Sequence, residues 1–223
     1  QYSRSALANI APHLPPLTPI LSASKGIETT SLGFMRDILE ETCGMQREYA
    51  FLSGPSFARE IMERSCTAVV IASDDIDLAN DLAATLQNPY LRCFTSRDVI
   101  GVEVGGSVKN VIAIAAGMSE GLGLGTNAMS SLVTRGRAEM RRLGLYLGAN
   151  SATLAGLSGV GDTFGTCFGP LSRNRSVGVR IGKGESIEDI LKSTSEVAEG
   201  VETTKALVDL IKARNRGYRL DLK

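Results

Sequence analysis

The chain is organised around one stretch, Gly101-Val-Glu-Val-Gly-Gly-Ser-Val-Lys-Asn-Val-Ile-Ala-Ile-Ala-Ala-Gly117. From Val108 on, apolar side chains recur every three or four residues, which predicts a helix with one apolar face. The opposite face carries Lys109 and then small side chains, so another surface could come close to its amine. The pair Gly105-Gly106 would also let backbone or a ligand approach. Lys109 is therefore either a buried ammonium with a lowered pKa or an ordinary surface lysine, and this stretch alone favours the surface lysine.

Before this stretch, residues 1–97 alternate short apolar strands with helices. The predicted strands cover 19–24, 49–53, 67–72 and 90–95, and the predicted helices cover 1–10, 31–41, 55–62 and 74–86. The last two helices start at Pro55, a residue favoured at the first helical position, and at the acidic Asp74. This alternation predicts part of an α/β sheet.

After residue 97 the pattern becomes helical, with helices predicted from 108, over 127–147 and near 171–181, 186–192 and 200–214. No strand is predicted there. Glycine clusters at 121–125 and 156–165 do not follow a strand, so neither matches the strand–turn–helix fingerprint of a dinucleotide loop, and both are interpreted as turns or helix ends. We therefore predict a boundary near residue 97, with an α/β part at 1–97 and an all-helical part at 98–223.

Composition excludes several classes of function. Lys+Arg and Asp+Glu both total 24 in 223 residues, so no bulk charge points to nucleic acid or a membrane surface, and no apolar run long enough for a membrane span is expected. His13 is the only histidine, which argues against His-based metal sites and Ser-His-Asp triads, and no metal site is predicted. Four scattered cysteines without a CxxC indicate reduced thiols of a soluble intracellular protein.

Polar residues follow two predicted strands at their carboxyl ends, the edge where open α/β sheets bind ligands. Lys25 follows the first strand and Gly54-Pro-Ser56 follows the second. The first amides of a helix starting at Pro55 could bind an anion. Taken singly, Lys25 is better explained as a solvated loop lysine and Ser56 as a helix-start hydroxyl, but together on one edge they form a candidate site.

A second polar group, Leu171-Ser-Arg-Asn-Arg175, opens a predicted helix. A hydroxyl, a guanidinium and an amide at Ser172, Arg173 and Asn174 can surround a phosphate, with arginine binding in a bidentate manner. The alternative is a basic helix start on the surface. Asp162, in the glycine-rich turn before it, could orient an ammonium or a substrate hydroxyl, or it could simply form the turn.

Six motifs in order resemble NAD(P)-dependent glycerol-3-phosphate dehydrogenase of the bacterial and plastid type. They are Ser22-Ala-Ser-Lys-Gly26, Gly54-Pro-Ser-Phe-Ala58, Gly105-Gly-Ser-Val-Lys-Asn110, Gly159-Val-Gly-Asp162, Leu171-Ser-Arg-Asn-Arg175 and Val197-Ala-Glu-Gly200. The resemblance implies the C-terminal part of a Rossmann-type dinucleotide-binding domain followed by a helical substrate domain. It also implies an enzyme of glycerol-3-phosphate metabolism.

The same resemblance implies a role for each matching residue. Lys109 would be the general acid/base, assisted by Asp162. The glycerol phosphate site would comprise Lys25, Gly54, Ser56, Lys109, Asn110, Asp162, Thr166, Ser172, Arg173 and Asn174. The NAD or NADP site would comprise Lys25, Ala58, Arg173, Val197 and Glu199.

Two other functions stay open at this stage. A 3-hydroxyacid or 6-phosphogluconate type of dehydrogenase has similar architecture. In that type of enzyme an asparagine comes four residues after the lysine, whereas here Asn110 follows Lys109 directly. A non-catalytic helical module derived from the enzyme is the other. The sequence lacks the family's N-terminal GxGxxG unit and closing helical segment, so we expect a fragment that binds cofactor poorly by itself. A homodimer is expected, in the cytoplasm or, alternatively, in the plastid stroma.

Overall fold

A computed structural model describes residues 3–193 and 198–214 of the chain. Its four strands are β1 Ile20–Ser22, β2 Tyr49–Ser53, β3 Thr67–Ser73 and β4 Leu91–Ser96, in the sheet order β1-β2-β3-β4. β1 and β2 are parallel, as are β3 and β4, while β2 and β3 are antiparallel. The four predicted strands are thus confirmed. Because β1 and β2 are parallel, the loops that follow them leave from the same edge of the sheet.

α1 Ser3–Ile10 precedes β1, and the helices between the strands are α2 Met35–Cys43, α3 Ala58–Met62 and α4 Ile76–Leu86. Three of them begin later than predicted. The helix expected from Asp74 starts at Ile76, because Asp75 is extended and serves as its N-cap. The helix expected from residue 31 starts at Met35, because Leu32 has a left-handed backbone with φ 59°. The helix expected from Pro55 starts at Ala58, because Phe57 is extended and the Ser56 hydroxyl donates to the Gly54 carbonyl in a local turn.

After β4 the described residues form helices joined by short turns, without a further strand. The helices are α5 Val99–Gly121, α6 Gly125–Tyr146, α7 Ser151–Ala155, α8 Asp162–Phe168, α9 Arg173–Gly182, α10 Ile187–Ser193 and α11 Glu199–Arg214, with a π-helical turn at Leu157–Gly161. The chain is therefore part of a Rossmann-type α/β unit followed by helices, as expected. A division into two domains near residue 97 stays a prediction, since Val99 and Val102 of α5 pack in the core beneath the sheet.

α5 is the central helix of the fold. It begins at Val99, not at Val108 as predicted, because the Asp98 carboxylate caps it by accepting the Gly101 N–H at 2.9 Å. Contrary to the expectation that no such run exists, α5 is long and apolar enough to span a membrane by composition. However, 72% of its most apolar window is buried inside the protein, as in a core helix.

Glycines let α9 cross α5 at very short range. Gly117 of α5 and Gly178 of α9 each lie where a Cβ would collide with a backbone carbonyl of the other helix. At Gly182 the Cβ would lie 2.5 Å from the Met118 carbonyl oxygen. Since α9 starts with Arg173 and α5 carries Lys109, this crossing fixes the distance between two predicted site residues.

We expect Gly178→Ala to destabilise the protein by about 1–3 kcal/mol, the usual cost of overpacking. The obstacle is rigid backbone, the Ile114 carbonyl, and cannot rotate away. Urea unfolding at constant temperature measures this loss. Gly165→Ala is the matched control: it is also helical, but its Cβ would meet only ordinary contacts at 3.6 Å, and alanine is the better helix former. Equal stability of the Gly178→Ala variant and wild type would contradict the proposed close crossing.

Glu103 of α5 is a buried carboxyl that accepts the Arg36 N–H of α2 at 2.9 Å. Burial raises the pKa of Glu103 from 4.5 to about 8, Asp37 and Glu40 raise it further, and the Arg36 N–H lowers it. Between these two pKa values the folded state holds a proton that the unfolded chain has released. The free energy of unfolding should therefore fall as pH rises through this window.

We expect Glu103→Gln to gain stability relative to wild type as pH rises from 5 to about 8. Glutamine retains the oxygen that accepts the Arg36 N–H but cannot ionise. Denaturant unfolding of both proteins across this pH range gives the difference directly. A difference that is independent of pH would show that Glu103 ionises equally in both states.

Candidate active site

A buried carboxylate held between two ammonium groups forms the centre of the site. Asp162 is 2% exposed and accepts from Lys109 Nζ at 2.5 Å through Oδ1 and from Lys25 Nζ at 3.1 Å through Oδ2. Thr166 Oγ1 lies 3.1 Å from Lys109 Nζ and donates to the Asp162 carbonyl at 2.6 Å. Lys109 is itself only 8% exposed, so the alternative of an ordinary surface lysine is wrong.

The glycine-rich segment before Asp162 brings α8 against α5. Leu157–Gly161 forms a π-helical turn, a rare element that concentrates at functional sites, where a turn or helix end was predicted. A Cβ at Gly105 would lie 2.6 Å from the Ser158 carbonyl oxygen. The pair Gly105-Gly106 lies inside α5, and Gly105 admits the chain's own backbone. This close packing carries Asp162 to Lys109, which lies 53 positions earlier.

Lys25 reaches the same carboxylate from the loop after β1. The Gly26 N–H donates to the buried Ser107 hydroxyl of α5 at 3.0 Å and fixes that loop. A Cβ at Gly106 would lie 3.3 Å from Lys25 Cγ, so the absence of a side chain there leaves room for the lysine stem. The residues that follow β1 were predicted to lie beside those that follow β2. Contacts with α5 hold the loop after β1 in that position.

A cleft of about 480 Å³ opens above this triad. Its walls contain most of the predicted site residues together with some that were not predicted. The predicted ones are Lys25, Ser56, Ala58, Lys109, Asn110, Thr166, Ser172, Arg173, Asn174 and Glu199, and the others are Ala23, Phe57, Arg59 and Leu171. This volume lies in the range typical of small-molecule sites.

Not every predicted residue faces the cleft. Gly54 has φ 134° and is pressed against β3, where a Cβ would lie 3.1 Å from the Ala68 carbonyl oxygen, so it shapes the loop and does not line the cavity. Val197 lies outside the described residues. Phe57 and Arg59 do line the cleft, and Phe57 stood within a quoted motif but offered no polar chemistry that would single it out.

The start of α9 presents the residues predicted to hold phosphate. Ser172 is its N-cap, with Oγ accepting the Arg175 N–H at 3.2 Å. Arg173 and Asn174 are the first two helical residues of α9, a position where the helix dipole favours an anion. Both line the cleft that contains Lys109. The basic helix start is therefore directed to the site and not to an unrelated surface.

Burial and neighbouring charges set the pKa values in the cleft. Burial is the largest cause that lowers the pKa of Lys109, from 10.5 to about 8, and Lys25 lowers it further while Asp162 and Glu199 oppose the shift. Burial also raises the pKa of Glu199, although Lys109, Lys25 and Arg173 act in the opposite direction. A lysine whose pKa approaches neutrality can both donate and accept a proton during turnover.

Comparison with known proteins identifies relatives of the whole chain. The family model described as NAD-dependent glycerol-3-phosphate dehydrogenase C-terminus matches residues 98–222, and the corresponding N-terminus model matches residues 1–79. A glycerol-3-phosphate dehydrogenase (NAD(P)+) of Nitratidesulfovibrio vulgaris is 48% identical over 223 residues, which are 100% of this chain and 67% of that protein.

A chloroplastic relative and a solved structure extend the comparison. Glycerol-3-phosphate dehydrogenase (NAD(+)) 2, chloroplastic, of Arabidopsis thaliana is 48% identical over 96% of this chain and 51% of its own length. The crystal structure of glycerol-3-phosphate dehydrogenase from Coxiella burnetii superposes with a TM-score of 0.91 at 34% identity, covering 96% of this chain and 65% of that one. The chain thus spans about two thirds of the bacterial proteins and half of the chloroplastic one.

Proposed function

Because the chain belongs to the NAD-dependent glycerol-3-phosphate dehydrogenase family, we propose that it catalyses the interconversion of sn-glycerol 3-phosphate and dihydroxyacetone phosphate with NAD or NADP. The observation that carries the proposal is the buried Lys109–Asp162–Lys25 triad, which shares one cleft with the Arg173 helix start. One end of this cleft can exchange a proton, and the other can hold a phosphate.

Lys109 acts as the general acid and base. A bound NAD(P)H would supply the hydride to C2 of dihydroxyacetone phosphate. The Lys109 ammonium donates its proton to the oxygen at C2, which gives the secondary alcohol of glycerol 3-phosphate and leaves a neutral amine. Oxidation reverses this, with the amine accepting the hydroxyl proton. A pKa of about 8 supports both directions near neutral pH.

Asp162 and Lys25 keep the reacting amine in place. Asp162 accepts from both lysines, so the Lys109 ammonium is held in one orientation without free rotation. Lys25 places a second positive charge beside it, and this charge favours loss of the proton. Burial is the largest cause that lowers the pKa of Lys109. Lys25 lowers this pKa further, and Asp162 raises it.

Phosphate binding is assigned to Ser172, Arg173 and Asn174. The guanidinium of Arg173 can bind two phosphate oxygens in parallel, and the first amides of α9 add further donors. Binding energy from this distant group orients C2 against the amine, which is how a non-reacting part of a substrate accelerates chemistry. Asn110 and Thr166 line the cleft between the two ends.

The described residues are also suited to one end of a dinucleotide. Ala58 and Glu199 share the cleft with Lys109, so a nicotinamide placed there would face the reacting amine. We assign Lys25, Ala58, Arg173 and Glu199 to this contact, and Val197 by its position in the family motif. We further propose a homodimer in the cytoplasm or plastid stroma, in keeping with the bacterial and chloroplastic relatives.

The test is oxidation of NADH and NADPH with dihydroxyacetone phosphate, followed at 340 nm. It should be run on this chain and on an extended protein, defined as the chain lengthened at both ends to match its bacterial relatives. Activity that depends on the phosphate group supports the proposal. Turnover of a phosphate-free hydroxyacid instead would indicate the other dehydrogenase class, and no turnover by a folded extended protein would indicate a non-catalytic module.

A further inference from the structure

The side chain of Asn174 joins the phosphate end of the cleft to α11. Its Oδ1 accepts the Gly200 N–H at 2.9 Å, in a buried bond between the second residue of α9 and the second residue of α11. Gly200 is confined at this point. A Cβ there would lie 2.6 Å from Asn174 Oδ1 and 2.8 Å from the Asn110 carbonyl oxygen.

What this bond holds is the first turn of α11, which carries Glu199. The Glu199 carboxyl lies in the cleft, where Asn110 Nδ2 approaches Oε2 at 3.5 Å, a weak contact by itself. Glu199 also lines a second cavity, of about 290 Å³, which it shares with Lys25. The position of this carboxyl therefore depends on how the first turn of α11 is held against α9, which we call the seating of α11, and Asn174 contributes a buried hydrogen bond to that seating.

The amide of Asn174 has two different ends. Because an N–H group of Gly200 needs an acceptor, Oδ1 must face α11, and the donor end Nδ2 is directed elsewhere. Asn174 lines the cleft next to Arg173, where the phosphate is assigned. Asn174 thus lines the substrate end of the cleft while its acceptor oxygen supports the helix of the cofactor end.

We propose that Asn174 is a positioning residue that couples substrate phosphate to the cofactor side of the cleft by seating α11 and, with it, Glu199. This rests on the proposed function for its catalytic consequence. The seating itself is a property of the folded chain. A ligand that orders the start of α9 would stabilise the bond to Gly200 and so fix Glu199 before or after the cofactor arrives.

Two variants of Asn174 separate the two ends of the amide. Asn174→Asp retains an oxygen for the Gly200 N–H and removes the donor, whereas Asn174→Leu has similar size and removes both. Hydrogen exchange of peptides from the start of α11, measured on the 223-residue chain, shows how firmly the first turn of α11 is held and requires no turnover. We expect exchange about fivefold faster in Asn174→Leu, the equivalent of one lost hydrogen bond, and little change in Asn174→Asp.

Kinetics of the extended protein supply the second measurement. Both variants should raise the KM for dihydroxyacetone phosphate, but only Asn174→Leu should also raise the KM for NADH. Asn150→Leu is the matched control, because Asn150 caps α7 through Oδ1 at 2.9 Å on an exposed surface away from the cleft. It should change neither the exchange of α11 nor either KM.

The two measurements fail separately. Unchanged α11 exchange in Asn174→Leu overturns the seating, and an equal rise of the NADH KM in both variants overturns the coupling. A third outcome is that the extended protein has no dehydrogenase activity while Asn174→Leu still accelerates exchange of α11. The proposed function is then wrong, and the seating of α11 by Asn174 stands.

Discussion

Replacing Lys109 by methionine is expected to lower kcat of the extended protein by about 10²–10⁴-fold, the usual contribution of general acid–base catalysis. Methionine retains an unbranched apolar stem in a site that is 8% exposed, so α5 keeps its packing. Asp162 keeps Lys25 as a partner at 3.1 Å and is not left as a lone buried charge. The loss should therefore appear in kcat with the circular dichroism spectrum unchanged.

The control for this substitution is Lys212→Met, which removes an amine that is 72% exposed on α11. It should leave kcat unchanged. The pH profile adds a second criterion: reduction needs the ammonium and should decline above about pH 8, while oxidation needs the amine and should rise through the same pH. A Lys109→Met enzyme with near wild-type kcat and the same profile would remove Lys109 from the chemistry.

The strands, and most of the residues that line the cleft, could be predicted from sequence because the signals lie in short stretches of the chain. Short apolar runs that alternate with helical segments predicted the positions of β1 to β4, and the motif resemblance predicted most of the residues that line the cleft. Helix starts were less accurate. The backbone conformations of Leu32 and Phe57, which delay α2 and α3, depend on their surroundings and not on intrinsic preference.

The burial of Lys109 shows what could not be predicted. Its stretch has one long cation among small residues, a pattern that a solvent-facing helix also shows. The amine is buried because α8 and α9 both pack on α5, and these contacts join residues more than 50 positions apart. The π-helical turn before Asp162 has a local and a tertiary cause: a Cβ at Gly159 would collide with the Leu154 carbonyl five residues earlier, and the lack of a side chain at Gly105 lets α5 approach the Ser158 carbonyl.

Arg173→Lys is expected to reduce kcat/KM for dihydroxyacetone phosphate by about tenfold to a hundredfold. Lysine retains the charge but not the planar fork that binds two phosphate oxygens. Loss of one charge-assisted hydrogen bond costs about 1.5–3 kcal/mol, which corresponds to a loss of that size in kcat/KM. Arg175→Lys is the control. It makes the same change two residues later on α9, where the side chain pairs with Glu120 at 2.6 Å and does not line the cleft.

Dihydroxyacetone, which lacks the phosphate, distinguishes the possible causes of the loss of kcat/KM in Arg173→Lys. Dihydroxyacetone should already be a very poor substrate. Because Arg173 is also assigned to the cofactor contact, both substrates are measured at saturating NADH, where Arg173→Lys should change kcat/KM for dihydroxyacetone far less than kcat/KM for dihydroxyacetone phosphate. The four values, two enzymes with two substrates, form a cycle whose coupling energy isolates the contact between Arg173 and phosphate. Equal losses on both substrates would mean that Arg173 supports the α5–α9 crossing or the cofactor, and the assignment of α9 as the phosphate site would then be wrong.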